Sequence, residues 1–398
     1  SSEDITITSS GGGTNTVTTS GTIGASDNIN TVAITGTTSV SLGGNISTND
    51  ASGNTVTVTG NTVDLNGITV DTNNTNNDGN ITINVNTFPD SITVDAGGAV
   101  MQMTPVTTNA VIEAARTNSG NISEDTFYDV DLVNVTNAAH VLIGSSSHTG
   151  NIFWGNDSAA LALSTIGNVV LQNSSSGQIL LSSDYNSGGG FLTLTSGNGV
   201  TLQDLSNNVI ADINLGAGAL TVTGAATLAD ASINITATGG ISFSSTIDAD
   251  NASSNDRTLT MDAGTGSTIA VAGNIGASQA LAGLAITQSN GTTFSGTVDV
   301  SDSNSGTIII TDTENGADVI FAGSVTTDTL DLAQQGYDLI FNGGGTFTNA
   351  VTFDNTGTLN LGNASGDTFT FNGGLTETTT GTVTLASAIS SSNDAISF

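Results

Sequence analysis

The phrase Leu339-Ile340-Phe341-Asn342-Gly343-Gly344 decides the fold because the chain repeats it: Val319-Ile320-Phe321-Ala322-Gly323 comes before, and Phe369-Thr370-Phe371-Asn372-Gly373-Gly374 after. The steps from Phe321 to Phe341 and from Phe341 to Phe371 are both multiples of ten. Within each triplet the apolar side chains alternate with period two, which marks a short strand with one buried face. Asn and Gly supply the turn that ends it. Repetition at a period of ~20 residues points to stacked coils rather than to a compact domain.

Triplets of the same form spread outward from this phrase. Leu259-Thr260-Met261, Ile269-Ala270-Val271, Leu284-Ala285-Ile286, Val298-Asp299-Val300, Ile308-Ile309-Ile310 and Leu330-Asp331-Leu332 complete the C-terminal series at short, slightly uneven intervals. The first third follows the same grammar with aliphatic residues in place of Phe, as in Ile5-Thr6-Ile7, Val32-Ala33-Ile34, Val56-Thr57-Val58 and Ile81-Thr82-Ile83. The expected fold is all-β, a right-handed parallel β-helix or β-solenoid. Alternate apolar side chains stack in its lumen, and Thr, Asn and Asp cover its outside. At ~20 residues per coil, with two or three strands each, the chain would make about 20 coils. Phe at a fixed phase is expected to stack on the Phe of the next coil.

Composition agrees. The 398 residues include 50 Gly, two Pro and no Cys, and 36% are hydrophobic. Branching at Cβ suits Thr, Val and Ile to strands, while Gly, Asn and Asp suit turns. Hydrophobic residues this frequent and this regular exclude a disordered chain. Without Cys there are no disulfides and no thiolate metal sites, so stability rests on the stacked core and the backbone ladders. No apolar run approaches the ~20 residues of a membrane helix. Ser1-Ser2-Glu3-Asp4 does not read as a signal peptide, which fits a mature or excised chain.

Thirty-five acidic residues face two basic ones, Arg116 and Arg257, for a formal charge of −33. Binding nucleic acid requires Lys and Arg to displace counterions from phosphate, so that class is excluded. Acidic polysaccharides and anionic membranes are repelled, and divalent cations are attracted. Calcium is therefore the expected ion. Asp312, Glu314 and Asp318 offer carboxylates at loop spacing, Asp248 and Asp250 form a second cluster, and Asp129/Asp131 and Asp299/Asp302 are further ones. Gly316 at the fifth position of the first cluster, with no terminal Glu, separates it from an EF-hand. The plainer reading of the same carboxylates is that they keep a repetitive β surface soluble.

Residues 87–185 depart from the grammar of 1–86 and 186–398. They hold Pro89, Pro105, Arg116, His140, His148 and Trp154, together with one stretch of helical character, Asn109 to Thr117. An insertion or a set of modified coils is expected there, and any specific binding site with it. Asp71 to Asn80 reads as a loop extruded from a corner. His140 and His148 come without a nucleophile or an orienting carboxylate, and no pair of acids is marked for glycoside hydrolysis, so an enzyme is not expected. Thr-x-Thr pairs such as Thr6/Thr8 and Thr57/Thr59 could order water as an ice-binding face. Their apparent lack of a common phase favours Thr simply as an outward strand residue.

From Gly366-Asp367-Thr368-Phe369-Thr370-Phe371-Asn372-Gly373-Gly374-Leu375, with Gly240-Ile241-Ser242-Phe243, the chain resembles the β-strand-repeat surface proteins of bacteria, filamentous-haemagglutinin-like and S-layer-like adhesins. The resemblance covers residues 210–398 well and 1–88 loosely. It implies export, a parallel β-helix and an extracellular, cell-surface location. The implied role is adhesion, a coat or a filament. Head-to-tail self-association is the expected partnership, with a glycan or other cell-surface ligand as the alternative.

Overall fold

The computed structural model describes residues 3–11, 13–24, 29–48, 55–65, 67–73, 78–87, 92–114, 127–129, 133–155, 167–182, 184–203, 210–230, 232–250, 257–302, 305–378 and 381–398. The fold is all-β: parallel strands stack as a β-solenoid of about 13 turns, with no α-helix among the described residues. By their internal contacts the residues divide into Ser1–Leu181 with Thr193–Asn198, and Ser182–Leu192 with Gly199–Phe398.

In the first unit, strand Glu3–Ser9 pairs in parallel with Ile29–Leu42, which pairs with Thr55–Asp64, then Ile81–Thr87, Val100–Thr104 and His140–Gly144. The register keeps the pattern read from the sequence. Val32, Val56, Ile81 and Met101 share one inward row, and Ile34, Val58, Ile83 and Met103 the next, all at most 1% exposed. A one-residue slip would turn every one of these side chains to solvent, so burial itself fixes the register. Val100–Thr104, His140–Gly144 and Val169–Gln172, within 87–185, continue this ladder. His140 lies opposite Val100, whereas Met101 lies opposite Ile81, so the coil that starts at Val100 is about twice as long as the one before it. Val111–Ala114 is a strand between Phe127–Asp129 and Ile152–Trp154, not the start of a helix. Val111 and Ile112 suit a strand, and parallel neighbours on both sides outweigh the weak local helical preference.

Among the described residues of the second unit, coils carry up to three strands. One coil is Asp318–Phe321, Val325–Thr327 and Thr329–Leu332; the next is Asp338–Phe341, Gly345–Phe347 and Val351–Phe353. Val319 pairs with Leu339 and Leu339 with Leu359, two equal short steps, whereas the steps from Thr292 to Val319 and from Ile241 to Ile269 are longer. Corners of unequal length raise the average above the shortest period, which is why the chain makes about 13 turns and not the larger number expected from that period.

Two aromatic rows run through the described part of the second unit. Phe294, Phe321 and Phe341 stack on one face, with centroids 5.1 and 4.9 Å apart, and Phe347 stacks on Phe371 at 5.0 Å on another. Phe371 thus lies opposite Phe347, not above Phe341. Phe341 meets Phe347, Phe353 and Phe369 edge-on, so the two rows lock together in the interior.

Candidate functional site

Several Asp and Asn side chains serve the coil corners. At four of them the residue two positions on from the Asp or Asn is a glycine in the left-handed region whose N–H donates to that side chain. Gly97 donates to Asp95 at 3.1 Å, Gly188 to Asn186 at 3.1 Å, Gly216 to Asn214 at 3.1 Å and Gly264 to Asp262 at 2.9 Å, with φ between 53° and 66°. The carboxylate or amide replaces the ladder partner that the backbone loses on leaving the strand. Other carboxylates join one coil to another. Asp338 accepts from Thr358 N at 2.6 Å, and buried Asp328 accepts from Gly306 N at 3.0 Å. Asp71 accepts from Asn73 N at 2.9 Å, yet burial and then the nearby Asp95 leave its pKa raised.

The five residues considered for calcium are dispersed among such duties. Asp248 accepts from Ser278 N at 2.8 Å. Asp250 holds Arg257 through two bonds of 3.0 Å, to Nε and to a terminal guanidinium nitrogen. Half-buried Asp312 accepts from Gln288 Nε2 at 3.2 Å, while Glu314 and Asp318 are exposed, Asp318 directly opposite Asp338. Among the described residues no group of three or more His, Asp and Glu side chains gathers to hold a metal ion. Arg116, Asp131, Asn251 and Asn304 lie outside the described residues, as does the side chain of Asp129.

The Asp250–Arg257 pair is mostly buried, with 20% and 15% of the two side chains exposed. Its geometry is that of a forked, charge-assisted pair. Arg257→Met is expected to cost about 1–2 kcal/mol, between the values for exposed and fully buried pairs. A denaturant melt of the variant indistinguishable from the wild type would show the pair contributes nothing.

The Thr pairs do share a phase in the first unit. Thr6, Ala33, Thr57, Thr82 and Gln102 form one outward row, and Thr8, Thr35, Thr59, Asn84 and Thr104 the next. Ala33, Asn84 and Gln102 interrupt the hydroxyl array. The sequence could not show this phase, since the corners between the pairs differ in length.

A groove of about 430 Å³ in the second unit is lined by Asp184, Asn186, Asp212, Asn214 and Asn234 above buried Tyr185. Asp212 N donates to Asp184 at 3.0 Å, and Asn234 Nδ2 donates to Asp212 at 3.0 Å. The polar groups therefore repeat from coil to coil. In the first unit Trp154, 6% exposed, fills core rather than presenting a surface. His148 is buried at a corner, whereas His140 opens a strand and is half-buried. The structure therefore gives the two histidines different settings. Nothing in the polar run Ser145-Ser146-Ser147-His148 signals burial.

Parallel pairing from coil to coil and alternating burial define a β-solenoid repeat protein. No family model, no curated protein and no solved structure matches the chain. No helix among the described residues is long and apolar enough to cross a membrane.

Proposed function

We propose that this chain is an extracellular structural element of a cell surface that self-associates, coil upon coil, into a filament or layer. The observation that carries this reading is the coil-to-coil register, in which Leu339, Leu359 and Val383, or Phe347 and Phe371, continue one another along a row. A coil that presents such rows and an open backbone edge accepts another coil by the same contacts. Leu385, Ile396 and Phe398, 46%, 38% and 54% exposed, stand uncovered, although Leu361 and Leu375 on the adjacent coil are at most 2% exposed.

At −33 the molecules repel each other at low ionic strength, so assembly is expected to strengthen with salt and with calcium as counterion. Sedimentation velocity and negative-stain images across protein concentration, with calcium and with chelator, test the reading. Ordered assemblies that Leu385→Asp disperses support it. Monomers under every condition overturn it. The Asp184/Asp212 groove favours a second reading, a glycan-binding adhesin, which predicts saturable binding on a glycan array that Asp212→Ala removes.

A further inference from the structure

Many of the chain's buried polar side chains have hydrogen-bond partners, but His148 has none. It is 1% exposed, and neither Nδ1 nor Nε2 meets a partner. On the next coil Asn173 is 4% exposed with Oδ1 unpartnered, and Ser174 Oγ is buried and unpartnered as well. Hydrogen bonds to backbone oxygens hold these turns together: Ser174 N donates to His148 O at 2.7 Å, His148 N to Ser145 O at 3.0 Å, and the Asn173 side chain, through Nδ2, to Gly150 O at 3.3 Å. On the other side, Thr149 N donates to Thr108 O.

The turns that meet at this corner, residues 105–110, 144–151, 172–178 and 195–198, contain no Asp, Glu, Lys or Arg. Glu113 is buried on strand Val111–Ala114 of the same unit. Burial alone holds the His148 pKa down, at about 4. A neutral imidazole tolerates the apolar enclosure, whereas an imidazolium there would lack both water and a countercharge, which neutral acceptors such as Asn173 and Ser174 do not replace.

We propose that the His148 corner is an acid-operated latch, closed while the imidazole is neutral and opened, with the turns 145–150 and 173–176 parting, when His148 takes up a proton. The sign follows from linkage. The open corner binds a proton at the ordinary value of 6.5 and the closed one only near 4, so closure is fully favoured above pH 6.5 and is lost as the pH falls through that window. The opening constant is expected to rise about 20-fold between pH 7 and pH 5, and on the order of 100-fold by pH 4. His140, half-buried at the start of its strand, serves as the internal comparison.

With two histidines in the chain, imidazole NMR resolves both titrations, and amide hydrogen exchange reads the corner directly. The expected result has three parts. The native His148 signal titrates far below 6.5, protection factors at 145–150 and 173–176 fall by the stated factors, and His148→Gln and His148→Leu abolish that fall. Native titration of His148 near 6.5, or the same acid-induced fall in both variants, would overturn the latch. Should either variant fail to fold, the wild-type titration and exchange decide alone.

Discussion

Phe341→Ala is expected to remove about 3–5 kcal/mol of stability, among the largest losses any single truncation in the second unit would give. Phe341 is fully buried. It stacks on Phe321 with an interplanar angle of 7° and meets Phe347, Phe353 and Phe369 at their edges. Truncation therefore opens a void bordered by four rings, each held by its own strand and unable to collapse into the space. Aromatic contacts of this kind add about 0.5–1.5 kcal/mol per pair beyond area burial. Because each coil of a solenoid rests on its neighbours, hydrogen exchange should quicken first in the strands of Phe321 and Leu361 and only later in distant coils. Thr346→Ala, on the outward face of an adjoining strand, is the control and should stay within about 0.5 kcal/mol. A denaturant melt in which Phe341→Ala behaves like that control would show that the aromatic row is not a principal source of stability.

The same phenylalanines mark how far the sequence could be read. Period-two alternation depends on adjacent residues, so the inward phase of Val319-Ile320-Phe321 or Leu339-Ile340-Phe341 was legible in the triplet itself, and the parallel ladder confirms it. Which face a triplet occupies depends on every corner before it. The step from Phe341 to Phe371, a multiple of ten, looked like the same phase, but Phe371 lies opposite Phe347, on a different face. Asn109 to Thr117 read as helical because local preference there is weak; Val111–Ala114 became a strand through neighbours distant in sequence. Side-chain-capped corners carry a local signal that the reading of the sequence missed. An Asp or Asn two residues before a Gly, as in Asp95-Ala96-Gly97 and Asp262-Ala263-Gly264, is the pattern of a side-chain-capped turn. His148 had no such signal, since the seryl run around it reads as solvent-exposed and only the stacking of coils encloses it.

Gly343→Val is expected to cost about 3 kcal/mol or more, the upper end for overpacking, because what it strikes is backbone. Gly343 belongs to a column of glycines at one corner. A Cβ on Gly343 would lie 2.4 Å from Gly323 C, one on Gly323 2.4 Å from Gly296 O, one on Gly296 2.5 Å from Gly273 O, and one on Gly273 2.3 Å from Ser245 C. The first glycine of the Asn342-Gly343-Gly344 turn in the phrase that revealed the fold is thus the residue that lets successive coils approach at the strand spacing of ~4.8 Å. A side chain there would have to push two coils apart. Relief would break ladder bonds such as Asn342 N to Phe321 O, 2.8 Å, and disturb the Phe321–Phe341 stack beside them. Gly366, where a Cβ would meet nothing within 4 Å, separates this effect from the general consequences of replacing glycine. Gly366→Ala should be neutral or stabilise by about 0.4–1 kcal/mol through the unfolded chain. Thermal melts of the two variants should therefore move in opposite directions, or one should fall while the other stays. If both fell equally, close approach at the corner would not be the reason the repeat ends in glycine.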